Sequence, residues 1–204
     1  MAGRQKNSGG ALKYIILIVM LGIVLIGVFM VLNRNKGKQQ SDEESMLLSR
    51  VQEITTMNLD ARYPPTERDA VSFFGRCMQV LYNEEVTDPD IDAVAEQLLK
   101  VYDDELIGNQ ANYPMQLHRE VKTMKTDGYT IQNYVVVDKN RVQPFKDENG
   151  NECAGVECTF SIRNGTQLQS VIYVFICRKD ASTGRWKIVG WQPKEDQSVN
   201  LFGW

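Results

Sequence analysis

The chain has 204 residues, 43% of them hydrophobic and 24% charged, with a formal net charge of −3. Its seven Phe, eight Tyr and three Trp residues can fill the core of one globular domain, so the composition excludes a fully disordered chain. After residue 40 there are 17 basic and 26 acidic side chains and no basic run. Because such an acidic surface is repelled by phosphate groups, nucleic-acid binding is disfavoured.

An uncharged apolar run near the amino terminus predicts a transmembrane helix over residues 14–32. A helix of this length is roughly 28 Å long, close to the hydrocarbon thickness of about 30 Å. A cleaved signal peptide has a shorter apolar region followed by small residues, whereas Asn33-Arg34-Asn35-Lys36 follows here. A buried core helix is the alternative, but a run that is apolar on every face and flanked by basic residues favours an uncleaved single-pass anchor.

The orientation of this span depends on the basic residues beside it. Three basic residues precede the span and three follow it: Arg4, Lys6 and Lys13, then Arg34, Lys36 and Lys38. The tail before the span is short and contains no acid, while Asp42, Glu43 and Glu44 offset the second basic cluster. We therefore expect residues 1–13 to be a short cytoplasmic tail and the carboxyl-terminal domain to lie outside the cytoplasm at the cell membrane.

One soluble domain is expected after the span. Residues 37–45 are polar and suit a linker, and a helix with apolar positions Leu47, Val51 and Ile54 follows. The paired prolines Pro64 and Pro65 then end any helix. The predicted divisions are a linker and stalk helix over 33–63, a soluble α+β domain over 64–192 and a tail over 193–204.

The first part of this domain has helical spacing of apolar residues and helix-capping signals. Thr66 is a predicted N-cap, and Asp88 before Pro89 is another, with the proline at the first helical position. The predicted helices run from Thr66 to about Asn83, from Asp88 through Tyr102 to a stop at Gly108-Asn109, and from Pro114 to Asp127-Gly128.

After residue 128 the apolar pattern changes to that of strands. Asn149-Gly150 and Asn164-Gly165 predict hairpins, because Asn and Gly accept the positive φ angles of a type I′ turn. The alternation from Val156 to Ile162 predicts a strand with one buried face. The expected strands include 129–137, the segment between the two hairpin signals, a central strand over 168–177 and a last strand over 186–191, joined as an antiparallel meander.

Helices followed by antiparallel strands indicate the α+β class, with the helices packed on one face of a curved sheet. The order of elements and the closing segment Gly184-Arg-Trp186-Lys-Ile-Val-Gly-Trp191 resemble the cone-shaped fold of the nuclear-transport-factor-two-like superfamily, also called cystatin-like. This resemblance covers roughly residues 60 to 192. Because this superfamily is defined by shape, the resemblance by itself implies no single function.

Two shorter segments carry a narrower resemblance. They are Asn58-Leu59-Asp60 with Tyr63-Pro64-Pro65-Thr66-Glu67-Arg68, and Leu81-Tyr82-Asn83-Glu84-Glu85. Together they resemble an uncharacterised family of membrane-anchored proteins of Gram-positive bacteria, a domain of unknown function. That family implies no activity, cofactor or catalytic residue.

Some proteins that this fold resembles are enzymes that use Asp, His or Tyr inside the cone, which makes two residue types candidates. His118, the only histidine, lies beside the apolar stripe of its predicted helix, so a surface position is favoured over a catalytic one. Tyr129, Tyr134 and Tyr173 are candidate pocket residues, but aromatic residues in strands are more often core. We therefore assign no catalytic residue.

Metal and cofactor sites are not indicated. Asp88, Asp90 and Asp92 resemble the start of a calcium loop, yet the glycine and the closing glutamate of such a loop are missing, and a helix cap explains the pattern. The segment from Asp147 to Asn151 lacks the same two residues, and a hairpin turn explains it. No phosphate loop, nucleophile elbow or dinucleotide fingerprint is present.

The four cysteines, at positions 77, 153, 158 and 177, include no Cys-x-x-Cys pair, which disfavours zinc and thioredoxin-type chemistry. Cys153 would face Cys177 if the hairpin at Asn164-Gly165 had a three-residue loop, and a register one residue different would abolish this disulfide. Isolated core thiols are the alternative.

These features predict a non-enzymatic, extracytoplasmic domain that binds a protein or a ligand. The layout is similar to that of scaffold subunits of type IV secretion and conjugation machines, which implies an envelope scaffold that self-associates. Candidate partner contacts are the stalk helix over 46–63 and Leu201, Phe202 and Trp204, with packing on their own domain as the alternative. An enzyme or small-ligand carrier that uses the cone cavity is the competing hypothesis.

Overall fold

A computed structural model describes residues 44–110 and 112–194. The predicted span at 14–32, the tail before it and the carboxyl-terminal residues 195–204 lie outside these ranges. Within the described ranges, no helix combines the length and the apolar character needed to cross a bilayer.

Five helices precede the sheet in the described chain: α1 (Glu44–Thr55), α2 (Glu67–Asn83), α3 (Asp88–Val101), α4 (Asp104–Asn109) and α5 (Tyr113–Thr126). The predicted start and end of α2 are confirmed. The helix ends at Asn83, and at its start the Thr66 side chain accepts a hydrogen bond from the Asp69 backbone N–H at 3.1 Å. The predicted N-cap of α3 is wrong. Thr87 caps this helix in a reciprocal capping box with Asp90, and Asp88 is already in the first turn.

The prediction that one helix continues to Gly108-Asn109 is also wrong. Helix α3 ends at Val101 because Tyr102 forms an isolated bridge with Ile188 on the last strand. The backbone N–H of Asp103 donates to the carbonyl of Ile188 at 2.9 Å, and the Asp103 side chain caps the separate helix α4. A contact between distant parts of the chain therefore overrides the local helical pattern.

The second half of the domain forms one antiparallel sheet. Its strands are β1 (Tyr129–Val136), β2 (Gln143–Lys146), β3 (Glu152–Asn164), β4 (Gln167–Lys179) and β5 (Trp186–Pro193). The α+β class and the antiparallel sheet are confirmed. The strand order is β1-β3-β4-β5, and β2 also pairs with β3, so the sheet is not a simple meander. Strands β1 and β2 occupy successive parts of the same edge of β3.

The hairpin between β3 and β4 is confirmed, but its turn differs from the predicted type. Asn164 pairs with Gln167, which leaves a two-residue loop of Gly165 and Thr166. Gly165 has a φ of 56°, whereas neither Asn164 nor the second loop residue, Thr166, has a positive φ. A positive φ at only the first loop position is the requirement of a type II′ turn rather than a type I′ turn.

Helix α2 packs across the sheet against β1, β3, β4 and β5. Aromatic rings fill the space between the helices and the sheet. The ring of Phe74 lies 5.1 Å from that of Phe175 and 4.8 Å from that of Trp191, measured between centroids. Phe175 and Tyr102 have no exposed surface. The main core therefore lies between the helices and the sheet, and aromatic side chains fill it.

Candidate functional site

A group of buried titratable side chains lies between the helices and the sheet. The Tyr102 and Tyr113 hydroxyls are 2.8 Å apart, and the Tyr82 hydroxyl donates to the half-buried carboxylate of Glu120. Burial raises the pKa of Glu120, and the hydrogen bond from Tyr82 partly opposes this shift. Burial also raises the pKa of Tyr173 to about 12. Burial therefore disfavours the charged forms of these groups, and the tyrosine rings are part of the packed core.

The candidate residues from the sequence do not form one site. His118 is 26% exposed and lies between α3 and α5, where its Nε2 is 2.8 Å from Asp92 and its Nδ1 is 3.5 Å from Asp88. Tyr129 is buried at the start of β1. Tyr134 and Tyr173 lie on either side of Phe160, with ring centroids 6.3 and 6.0 Å from it.

The acidic segments have structural partners. Asp90 takes part in the capping box of α3, and Asp92 contacts His118. Asp147 accepts hydrogen bonds from the backbone of Asn149 and of Asn151, both at 2.9 Å, which shapes the turn between β2 and β3. In residues 44–110 and 112–194, no group of three or more His, Cys, Asp or Glu side chains is arranged to hold a metal ion.

All four cysteines are buried and free. Because the β3–β4 hairpin has a two-residue loop, Cys153 lies opposite Arg178 and Cys177 lies opposite Ala154. The register that would pair Cys153 with Cys177 is therefore wrong. Successive residues of a strand point to opposite faces, so these two thiols lie on different sides of the sheet.

A charged cluster surrounds Arg178 on β4. Its Nε donates to Asp103 at 3.1 Å, and its Nη2 donates to Asp103 and to Glu105, the latter at 3.0 Å. Asp147 lies 3.5 Å from its Nη1. Each acid of the cluster is paired, so we assign these residues to holding α4 and the β2–β3 turn against the sheet.

A polar groove of about 380 Å³ lies between α1, α2 and the start of β1. Its lining residues are Arg50, Glu53, Arg76, Gln79, Val80, Asn83, Glu84 and Gln132. We call this cavity the α1–α2 groove. No sequence motif for a known chemistry marked it, because its residues come from three separate elements.

Two amide side chains of α2 set the wall of this groove. Strand β1 changes register between Ile131 and Asn133, which leaves Gln132 in a bulge. The Asn83 side chain donates to the Ile131 carbonyl at 2.8 Å and accepts from the Ile131 N–H at 2.8 Å. Gln79 Nε2 donates to the carbonyls of Ile131 and Gln132 at 3.1 and 3.2 Å. These bonds provide hydrogen-bond partners for the backbone groups of Ile131 and Gln132 and hold the bulge beside the groove.

The charges of the groove are arranged in two pairs. Arg76 pairs with Glu53 at the surface, and Arg50 Nη1 donates to Glu84 Oε1 at 3.2 Å. Glu84 is only 2% exposed, and its Oε2 is buried without a hydrogen-bond partner in the described structure. Lys125 donates to the backbone carbonyl of Glu84 rather than to its carboxylate, and burial lowers the pKa of this lysine.

A second, more open cavity of about 420 Å³ adjoins the groove at Arg76. Besides Arg76, the residues that line this second cavity are Arg62, Tyr63, Pro64, Pro65, Asp69, Ser72 and Phe73. The two segments that carry the narrower family resemblance thus line these cavities: Tyr63-Pro64-Pro65 lines the second, and Asn83-Glu84 lines the α1–α2 groove. The resemblance itself implied no site at these residues.

The fold and the site define an α+β domain with an aromatic interior and a polar groove on its helical side. The chain belongs to the family described as a domain of unknown function (DUF6715), whose model matches residues 1–191. No curated protein matches the sequence.

Among solved structures, the chain is similar to the crystal structure of the intermembrane space region of the chloroplast protein ARC6. The two share 17% sequence identity, and the match covers 67% of this chain and 96% of that chain with a TM-score of 0.36. A likeness at this level carries no argument about shape or function.

Proposed function

We propose that this protein is a single-pass membrane protein that displays a non-enzymatic binding domain on the outer side of the cell membrane. Residues 14–32 would form the anchor, and the domain would adopt a variant of the nuclear-transport-factor-two-like cone. A Gram-positive envelope protein, acting as a scaffold or binder, is the concrete form of this proposal. The uncharged apolar run, the basic residues on both sides of it and the two family-like segments support it.

The aromatic interior is the observation that carries the non-enzymatic part of the proposal. A ligand carrier or enzyme of this shape needs a cavity with converging polar groups. Here Phe74, Phe175 and Trp191 pack together between the helices and the sheet, and the Tyr102 and Tyr113 hydroxyls bond to each other. Binding is therefore assigned to the outer surface of the domain.

An enzyme or carrier that uses the interior is the second candidate, and the Tyr82–Glu120 pair favours it. A carboxyl group with a raised pKa beside a hydroxyl is a common acid–base arrangement. This candidate requires that small molecules reach the interior, whereas the binding-domain proposal requires that they do not.

Thiol accessibility separates these two candidates. Cys77 and Cys158 have no exposed surface, and burial raises the pKa of both thiols, that of Cys158 to about 12. We expect methyl methanethiosulfonate to leave both thiols unmodified at pH 9 in the folded, full-length protein in neutral detergent. Both should react after denaturation, and peptide mass spectrometry measures the difference.

The control is a Leu168→Cys variant, because Leu168 is 56% exposed and a thiol there should react at once. Modification of Cys77 or Cys158 in the folded protein, at a rate near that of the control, would show an accessible interior. That result would replace the binding-domain proposal with the enzyme or carrier hypothesis.

A further inference from the structure

We propose that the α1–α2 groove binds the cationic end of a partner, an alkylammonium or guanidinium group of the kind carried by Lys and Arg side chains. Glu84 is the anion that receives this group. The inference rests on the proposed function, since it names the ligand chemistry of the binding surface. It commits to a basic side chain of a partner protein as the occupant, and a free small amine is distinguished in the test.

The half-paired carboxylate of Glu84 is the first reason. A buried carboxylate normally accepts hydrogen bonds at both oxygens, because an unmet acceptor loses its hydration without compensation. Oε1 accepts one bond from Arg50, but Oε2 has no partner in the described structure. A cation with several N–H donors would complete this site, and a second carboxylate or a phosphate would be repelled by it.

The remaining polar groups of the groove are the second reason. The amide nitrogens of Gln79 and Asn83 donate to the backbone of β1, and that of Gln132 donates to the Thr130 hydroxyl. Within the described chain, the side-chain oxygens of Gln79 and Gln132 accept no hydrogen bond. The neutral part of the wall therefore offers acceptors, which suit a ligand that donates.

The charges of the groove and of the whole domain also favour a cationic ligand. Both arginines of the groove are paired with a glutamate, so their charges are already balanced within the groove and do not favour an anionic ligand. Beyond residue 40 the chain carries nine more acidic than basic side chains, which attracts cations to the domain. A volume of about 380 Å³ has room for the end of one long basic side chain.

Arg50 is the internal competitor for this site. Its side chain is 61% exposed and has one hydrogen bond in the described structure, the one to Glu84. Because Glu84 is only 2% exposed, an entering cation must compete with the partner that its carboxylate already has, and Arg50 is that partner. Removal of Arg50 should therefore strengthen binding, whereas neutralisation of Glu84 should weaken it.

Isothermal titration of the full-length protein in neutral detergent tests this inference. The probes are the peptide acetyl-Gly-Gly-Lys-Gly-Gly-amide, its norleucine analogue and n-butylammonium chloride. We expect saturable binding of the lysine peptide and none of the norleucine peptide. A Glu84→Gln variant should bind the lysine peptide about tenfold more weakly or worse, as expected for loss of a hydrogen-bonded charge.

Matched variants separate the groove from general attraction. Glu148→Gln removes the same charge from an exposed turn and should leave affinity unchanged. Arg50→Gln should bind several-fold more tightly, while Arg163→Gln, at an exposed position on β3, should not. If Glu84→Gln does not fold, Glu53→Gln on the 60%-exposed rim replaces it, with an expected several-fold loss.

Equal losses in Glu84→Gln and Glu148→Gln, or equal binding of the lysine and norleucine peptides, would overturn the inference. Absence of saturable binding of both cationic probes would overturn it as well. Butylammonium binding as tight as that of the peptide would identify a free amine as the ligand, and weaker binding would identify a protein side chain. Modification of Cys77 or Cys158 in the thiol experiment would reject the proposed function, but it would not alter the binding expected at the groove in these titrations.

Discussion

Replacing Phe175 by alanine is expected to lower the free energy of unfolding by about 3–5 kcal/mol. Phe175 has no exposed surface, and its ring centroid lies 5.1 Å from that of Phe74 and 5.7 Å from that of Trp191. The loss combines the transfer of the ring to water with the cavity that the rigid neighbours leave behind. Urea unfolding followed by tryptophan fluorescence measures it, because Trp191 lies in the affected cluster.

Leu168→Ala is the matched control. Leu168 is on the same strand but 56% exposed, so its substitution should change the free energy of unfolding by no more than about 0.5 kcal/mol.

The Phe175→Ala variant should also expose Cys158 to the thiol reagent, since both side chains border the interior. A loss below about 1 kcal/mol for Phe175→Ala would mean that the interior is loosely packed, which contradicts the filled core.

Replacing Gly75 by alanine is expected to destabilise the protein by about 1–3 kcal/mol, the typical cost of overpacking. The direction of this stability change is the reverse of the usual one, since alanine in a helix is normally favoured over glycine by about 1 kcal/mol. A Cβ on Gly75 would lie 2.6 Å from Cδ2 and 2.9 Å from Cγ of Tyr134. Helix α2 and strand β1 therefore approach closely only because residue 75 has no side chain.

Gly108→Ala provides the contrast, because a Cβ at this position of α4 would meet no described atom within 4 Å apart from the adjacent residues and the helix's own backbone. The Gly108→Ala substitution should leave the free energy of unfolding unchanged or raise it by up to about 1 kcal/mol. Thermal and urea unfolding of both variants measure the difference. In a Tyr134→Ala background, the penalty of Gly75→Ala should disappear. Equal stabilisation by both glycine substitutions would refute the close contact.

Local signals explain which parts of the fold were predictable. Thr66 and the Pro64-Pro65 pair determine where α2 begins, and the hairpin signal at Gly165 places the β3–β4 turn. The break between α3 and α4 was not predictable, because it depends on the long-range bridge from Tyr102 to Ile188. The disulfide register depended on one residue of loop length, which turn-forming residues alone do not specify.

The candidate site was less predictable than the fold. Glu84 lies in a segment that looks solvent-exposed, and charged residues are seldom buried, so its 2% exposure could not be inferred from its neighbours. The groove also needs a bulge in β1 that places Gln132 beside α2. His118 was predictable as a flanking residue because the helical periodicity alone offsets it from the apolar stripe.

Protease digestion of intact cells tests the central claim most directly. The full-length protein would carry one tag at each end, detected before and after lysis. We expect the carboxyl-terminal tag to be lost in intact cells while the amino-terminal tag persists until lysis, which would place the binding domain outside the membrane. Protection of the carboxyl-terminal tag until the cells are lysed would contradict the account and assign the domain, with its α1–α2 groove, to partners inside the cell.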